Sequence, residues 1–160
     1  MKSLHRSTSL FIPGLLVFTL CAAFVSPMFA DSAPADPQIP SKLLMTPEAL
    51  SQLLKASKPL VLQVGPRSIY LQAHIPGSEY IGSTSTPEGI DALRERVKSL
   101  PKDTVIVLYC GCCPWERCPN VHPAYKELRN LGYSDVRVLY IAHDFGSDWV
   151  NKGYPTAKGE

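Results

Sequence analysis

Val105-Ile106-Val107-Leu108-Tyr109 is an unbroken apolar run that ends directly on a cysteine, Cys110. A strand with one face in water alternates apolar and polar residues, whereas a strand covered on both faces is apolar throughout. The run therefore predicts a central strand of a parallel sheet with helices packed on either side. In sheets of that kind ligands bind beyond the carboxyl ends of the strands. Cys110 occupies that position.

The flanking segments agree. Thr46-Pro47-Glu48 is a helix start, with an N-cap threonine, proline at the first helical position and an acid near the positive end of the helix dipole, followed by Leu50, Leu53 and Leu54 on one face. Thr86-Pro87-Glu88 repeats it ahead of the stripe Ile90, Leu93, Val97 and Leu100. Leu60-Val61-Leu62 reads as a short buried strand, Tyr80-Ile81 as another, and Val136, Val138, Tyr140 and Ile141 as the last. Pro119 is expected to open a helix carrying Val121, Tyr125, Leu128 and Leu131 inward until Gly132 stops it, and a short terminal helix carries Trp149. Alternating helices and strands define an α/β fold, a central parallel sheet of about five strands with helices on both faces.

The chain begins differently. Lys2 and Arg6 precede an apolar run from Leu10 to Val25 that ends near Met28-Phe29-Ala30, the layout of a signal peptide, and the run is shorter than the roughly 20 residues a spanning helix needs. Residues 1–30 are expected to be removed on export, leaving a periplasmic or secreted protein without a stable membrane anchor. Residues 31–40, with three prolines and few large apolar side chains, read as a flexible leader, and 41–157 as the folded domain. Removal of the first thirty residues leaves fourteen basic and fourteen acidic residues, so no net charge or basic stripe argues for a nucleic-acid partner. Oligomeric state is not readable from this pattern.

Of the five cysteines, Cys21 lies in the signal segment and the other four, Cys110, Cys112, Cys113 and Cys118, fall within nine residues. Scattered cysteines in an exported domain would suggest disulfide staples. Crowded into one loop they close only small rings and constrain little of the chain, so the cluster points to local chemistry.

Three stretches place this chemistry in a frame. His74-Ile75-Pro76-Gly77-Ser78, the strand from Val105 to Cys110, and Trp149 with Gly153-Tyr154-Pro155 occur in the order and spacing of the rhodanese-like domains, which the chain resembles from Leu60 to Pro155. It departs from them at Gln63-Val64-Gly65, where an Asp-Val-Arg is usual, in the longer Ala142-His143-Asp144-Phe145-Gly146 segment after the last strand, and in the three additional cysteines.

The resemblance implies a sulfurtransferase in which Cys110 carries sulfane sulfur as a persulfide, taken from a donor such as thiosulfate and passed to a thiol or cyanide. Gly111, Cys112, Cys113 and Arg117 are the loop residues expected to contact the donor, a small sulfur-containing anion or a protein thiol. Sulfur transfer requires a thiolate, and loop N–H groups with the following helix N-terminus are expected to lower the Cys110 pKa without a separate base. Two other readings share the loop. Cys110 and Cys113 have the Cys-x-x-Cys spacing of a thiol-disulfide site. Cys112, Cys113, Cys118 and His122 form a soft ligand set for zinc or copper. His74 is expected to stabilise its turn rather than act as a base, and Trp149 to anchor the core.

Overall fold

A computed structural model describes residues 39–159; the proposed signal segment lies outside the described residues. Five strands form one sheet, β1 (Leu44–Met45), β2 (Leu60–Gln63), β3 (Glu79–Tyr80), β4 (Ile106–Tyr109) and β5 (Val136–Leu139), in the order β1-β5-β4-β2-β3. Every pairing is parallel. The helices are α1 (Pro47–Ala56), α2 (Arg67–Gln72), α3 (Pro87–Val97) and α4 (Val121–Asn130). No helix among the described residues is long and apolar enough to cross a membrane.

β4 is central and its four residues are all buried, as its composition requires. Its side chains alternate between two cores. Ile106, Leu108 and Cys110 join Leu93 and Val97 of α3 and Val121, Ala124 and Leu128 of α4. Val107 and Tyr109 join Leu50 of α1 with Ile75, Phe145 and Trp149 on the opposite face. Cys110 thus continues the side-chain register of the strand and turns toward α4. Ile39, which composition assigns to the leader, is buried in the first of these cores.

The two threonine caps form as expected: Thr46 Oγ1 accepts from Ala49 N at 3.2 Å and Thr86 Oγ1 from Gly89 N at 3.3 Å. α4 begins at Val121 rather than at Pro119, and Pro123 sits in its first turn, where a missing N–H leaves no helical bond unmade. Several short elements were not apparent in the sequence pattern. β1 is two residues long, α2 only six and without a side-chain cap, and Trp115–Arg117 forms one 3-10 turn inside the cysteine loop. The last strand ends at Leu139, before the expected Tyr140 and Ile141, and the terminal helix is a single π turn, Gly146–Val150. Trp149 is fully buried, stacks on Phe145 at 5.9 Å and donates from Nε1 to Pro155 O at 2.8 Å.

The His74–Ser78 turn is tied to the strand that carries the site. Ser78 N donates to Ile75 O at 2.9 Å, and the buried Tyr109 hydroxyl accepts from Ile75 N at 3.3 Å and lies 3.0 Å from Ser78 Oγ. His74 stacks face to face on Tyr70 at 3.9 Å, and its backbone exchanges two 2.9 Å hydrogen bonds with Ala157. This is a structural histidine.

Candidate active site

The site is built where β2 and β4 end side by side. Val64 N donates to Tyr109 O at 2.9 Å, extending the ladder one residue past β2. The buried Gln63 then spans to the neighbouring strand: its Nε2 donates to Cys110 O at 2.9 Å while its Oε1 accepts from Gly65 N at 3.2 Å. An aspartate here could accept the second bond but could not donate the first. Gly65 leaves the space that the sulfur fills, since a Cβ at this position would lie 2.5 Å from Cys110 Sγ. The departure from Asp-Val-Arg is therefore coupled to the placement of Cys110, a relation that spacing alone does not reveal.

Beyond Cys110 the chain turns sharply at Gly111, whose φ of +87° is disfavoured for residues with a Cβ, and an added Cβ would sit 2.8 Å from Phe145 Cβ. Phe145 N donates to Gly111 O at 3.0 Å. The long segment after β5 thus clamps the loop through Phe145.

The four thiols are free and separate into two classes: Cys110 and Cys118 are buried, each 2% exposed, while Cys112 is exposed and Cys113 half-buried. The sulfurs of Cys110, Cys112 and Cys118 all lie within 4.8 Å of one another. Cys110 Sγ and Cys112 Sγ are 3.1 Å apart, and Cys112 Sγ and Cys113 Sγ 3.4 Å. Asn120 was missed by sequence reasoning, although its place at the mouth of a helix next to Cys118 is a usable signal. It is buried, its Nδ2 reaches Cys110 Sγ at 3.5 Å, and its Oδ1 accepts from Ser85 N at 3.0 Å. These contacts occupy the side chain, so it does not cap α4.

Backbone N–H groups at that helix start serve Cys118 instead. A hydrogen bond from Cys110, joined by N–H groups of Val121 and Asn120, lowers the Cys118 thiol to about 6 against the opposing effect of burial. Cys110 moves the other way: as the donor to Cys118, and through its own burial, it holds its proton well above the ordinary thiol range. The expectation of a lowered Cys110 pKa is corrected. The N–H groups at the helix start favour the thiolate of the neighbouring Cys118 instead. Burial, reinforced by the adjacent thiols, also raises Cys113, to about 12.

A groove of about 250 Å³ runs beside the loop, lined by Ile69, Gln72, Ala73, Gly111, Cys112, Asp144, Phe145, Gly146 and Val150. Arg117 is not among these residues. It lies in a different depression with Glu116, Cys118 and His122. His122 stacks on Trp115 and places Nε2 3.2 Å from Glu116 O, so the sulfur cluster is completed by Cys110 rather than by Cys113 and His122. Three sulfurs suit copper(I) better than zinc, which takes four ligands in structural sites. His143 is exposed, and its backbone N and Nδ1 meet the Asp148 carboxylate at 2.7 and 3.1 Å. A larger concavity, about 510 Å³, borders Pro76 and Gly77 but contains no thiol, histidine or carboxylate.

Comparison with known proteins gives the same frame. No curated protein matches the chain. Among solved structures, the Alr3790 protein from Anabaena sp. is 23% identical with a TM-score of 0.54, covering 71% of this chain and 91% of that one. The BH2092 protein from Bacillus halodurans is 22% identical with a TM-score of 0.54, covering 71% and 75%. The anaerobic ergothioneine biosynthesis enzyme from Chlorobium limicola, in complex with trimethyl histidine, is 23% identical with a TM-score of 0.55 over 72% of this chain but 28% of its own. At these identities the likeness is one of fold. The model of the rhodanese-like domain matches residues 46–140, from the cap of α1 past the end of β5. With that match and the five-stranded parallel sheet in hand, the chain belongs to the rhodanese-like domain family.

Proposed function

We propose that the protein is a rhodanese-type sulfurtransferase in which Cys110 carries sulfane sulfur as a persulfide. The observation that carries this reading is the buried Cys110 directly beyond the carboxyl end of β4, its sulfur within 4.8 Å of those of Cys112 and the buried Cys118. As the Cys110 sulfur attacks the outer sulfur of thiosulfate, its proton passes to Cys118 and the sulfur–sulfur bond of the donor breaks. Sulfite leaves with the bonding pair. An acceptor thiol or cyanide then takes the outer sulfur and Cys110 recovers its proton. EanB, 27% of whose length matches this fold, has been solved as a persulfide.

The test is sulfur transfer from thiosulfate, or from cysteine persulfide, to cyanide by the wild-type protein and Cys110→Ser. Transfer that disappears in the variant is expected; equal transfer by both proteins, or none by the wild type with either donor, overturns the proposal. Export belongs to the same reading and rests on residues 1–30. Terminal sequencing of protein recovered from outside the cytoplasm should find those residues gone, and an intact Met1 there would refute cleavage.

A second reading, binding of copper(I), is favoured by the three-sulfur grouping of Cys110, Cys112 and Cys118. Protein purified without chelator should then carry about one copper per chain by elemental analysis. Metal-free, folded protein that fails to retain copper(I) against a chelator rules it out.

A further inference from the structure

Cys110 is almost wholly buried, its sulfur enclosed by the space over Gly65, the Asn120 amide and two neighbouring sulfurs. The groove beside it is lined by Gly111 and the exposed Cys112, not by Cys110. A molecule seated in that groove meets the Cys112 sulfur first. From there the Cys110 sulfur is 3.1 Å away.

We propose that Cys112 is a relay thiol that takes sulfane sulfur from a small organic persulfide in the groove and hands it to Cys110. This rests on the sulfurtransferase reading and adds to it a second carrier and a class of donor. The Cys112 sulfur, as thiolate, attacks the outer sulfur of the donor; the donor's sulfur–sulfur bond breaks and its thiolate leaves. The Cys110 sulfur, its proton passed to Cys118, next attacks the outer sulfur of the Cys112 persulfide. The bond from Cys112 to that sulfur breaks, Cys112 leaves as thiolate, and Cys110 holds the persulfide. Neither step changes the overall oxidation state, so no external oxidant or reductant is required.

Geometry and charge fit both parts. A transferred sulfur with bonds of about 2.05 Å on either side needs its flanking sulfurs to open to a little over about 4 Å. Rotation of the exposed Cys112 side chain supplies that movement while Cys110 stays fixed by the strand. The groove walls include the apolar side chains of Ile69, Ala73, Phe145 and Val150, the Asp144 carboxylate adds negative charge, and no lysine or arginine is among the lining residues. Such a site disfavours the thiosulfate dianion relative to a small organic persulfide of lower net negative charge.

Single-turnover loading from cysteine persulfide, quenched with an alkylating agent and mapped by peptide mass, tests the relay. Cys110→Ser should retain one sulfur on Cys112, and Cys112→Ser should load Cys110 at least tenfold more slowly than the wild type. Cys112→Ala serves as the second variant, and both should keep the wild-type circular dichroism because the side chain is exposed. Loading of Cys110 at the wild-type rate in folded Cys112 variants overturns the relay while leaving the Cys110 carrier intact. Wild-type protein that never gains sulfur on Cys110 overturns the sulfurtransferase reading itself.

Discussion

The buried pair Cys110 and Cys118 and the outer pair Cys112 and Cys113 are the same residue type within one loop, yet the protein treats them differently. Cys110 is fixed from outside its own turn, by Gln63 and Gly65 at the end of β2 and by Asn120 at the start of α4. Cys112 depends on its loop neighbours and faces the groove. Thiol chemistry is thus divided by burial and by the helix N-terminus rather than by the spacing of cysteines. The inner pair brings two buried sulfurs close together, whereas Cys112 of the outer pair offers access.

That contrast can be broken most forcefully at Cys110. Cys110→Ser should reduce sulfur transfer by at least about a thousandfold, as expected when a nucleophile is removed, measured as thiocyanate formed from cyanide; a loss of less than tenfold would move the carrier to the outer pair. Gly65→Val tests whether the inner pair needs the cavity made for it. Overpacking against the sulfur should cost about 1–3 kcal/mol in urea unfolding, and a variant as stable as the wild type would contradict the close approach.

Asn120→Ala removes the amide that holds both Cys110 Sγ and Ser85 N. Leaving a partly buried N–H unpaired should cost about 1–2 kcal/mol, read from the same unfolding curves, and an unchanged midpoint would show that Asn120 does not organise the pair. The smallest effect expected is a pH slope. Cys118 ionises lower in the folded protein than in the unfolded chain, so the unfolded chain binds more protons between pH about 6 and about 8.5. Stability should rise with pH across that window, and the contribution is lost as pH falls through about 6. Cys118→Ser should flatten the rise; an identical slope in the variant would place the thiolate elsewhere.

Much of the frame was legible in the sequence because its signals are local. The continuous run of β4, the threonine and proline starts of α1 and α3, and the burial of Trp149 all follow from periodicity, capping and side-chain size. β1 and α2 escaped because they are too short to show a period, and β1 exists only through its pairing with β5. Cys110 was recognisable from its place at the strand end, but the partition of charge between Cys110 and Cys118 was not. The N–H groups that meet Cys118 are local, from Asn120 and Val121, but the approach of the Cys110 sulfur to it is a matter of tertiary packing. Gln63 and Gly65 looked like losses from the family pattern, whereas in the fold they tether the Cys110 carbonyl and make room for its sulfur.

The central claim, that the buried sulfur at the end of β4 is the carrier, is tested most directly by locating the sulfane atom. Wild-type protein incubated with excess donor, alkylated and mapped by peptide mass should show one additional sulfur resident on Cys110 at equilibrium, with Cys118 unmodified by it. A sulfur resident only on Cys113 or Cys118, or no added sulfur on any of the four thiols, would contradict the account.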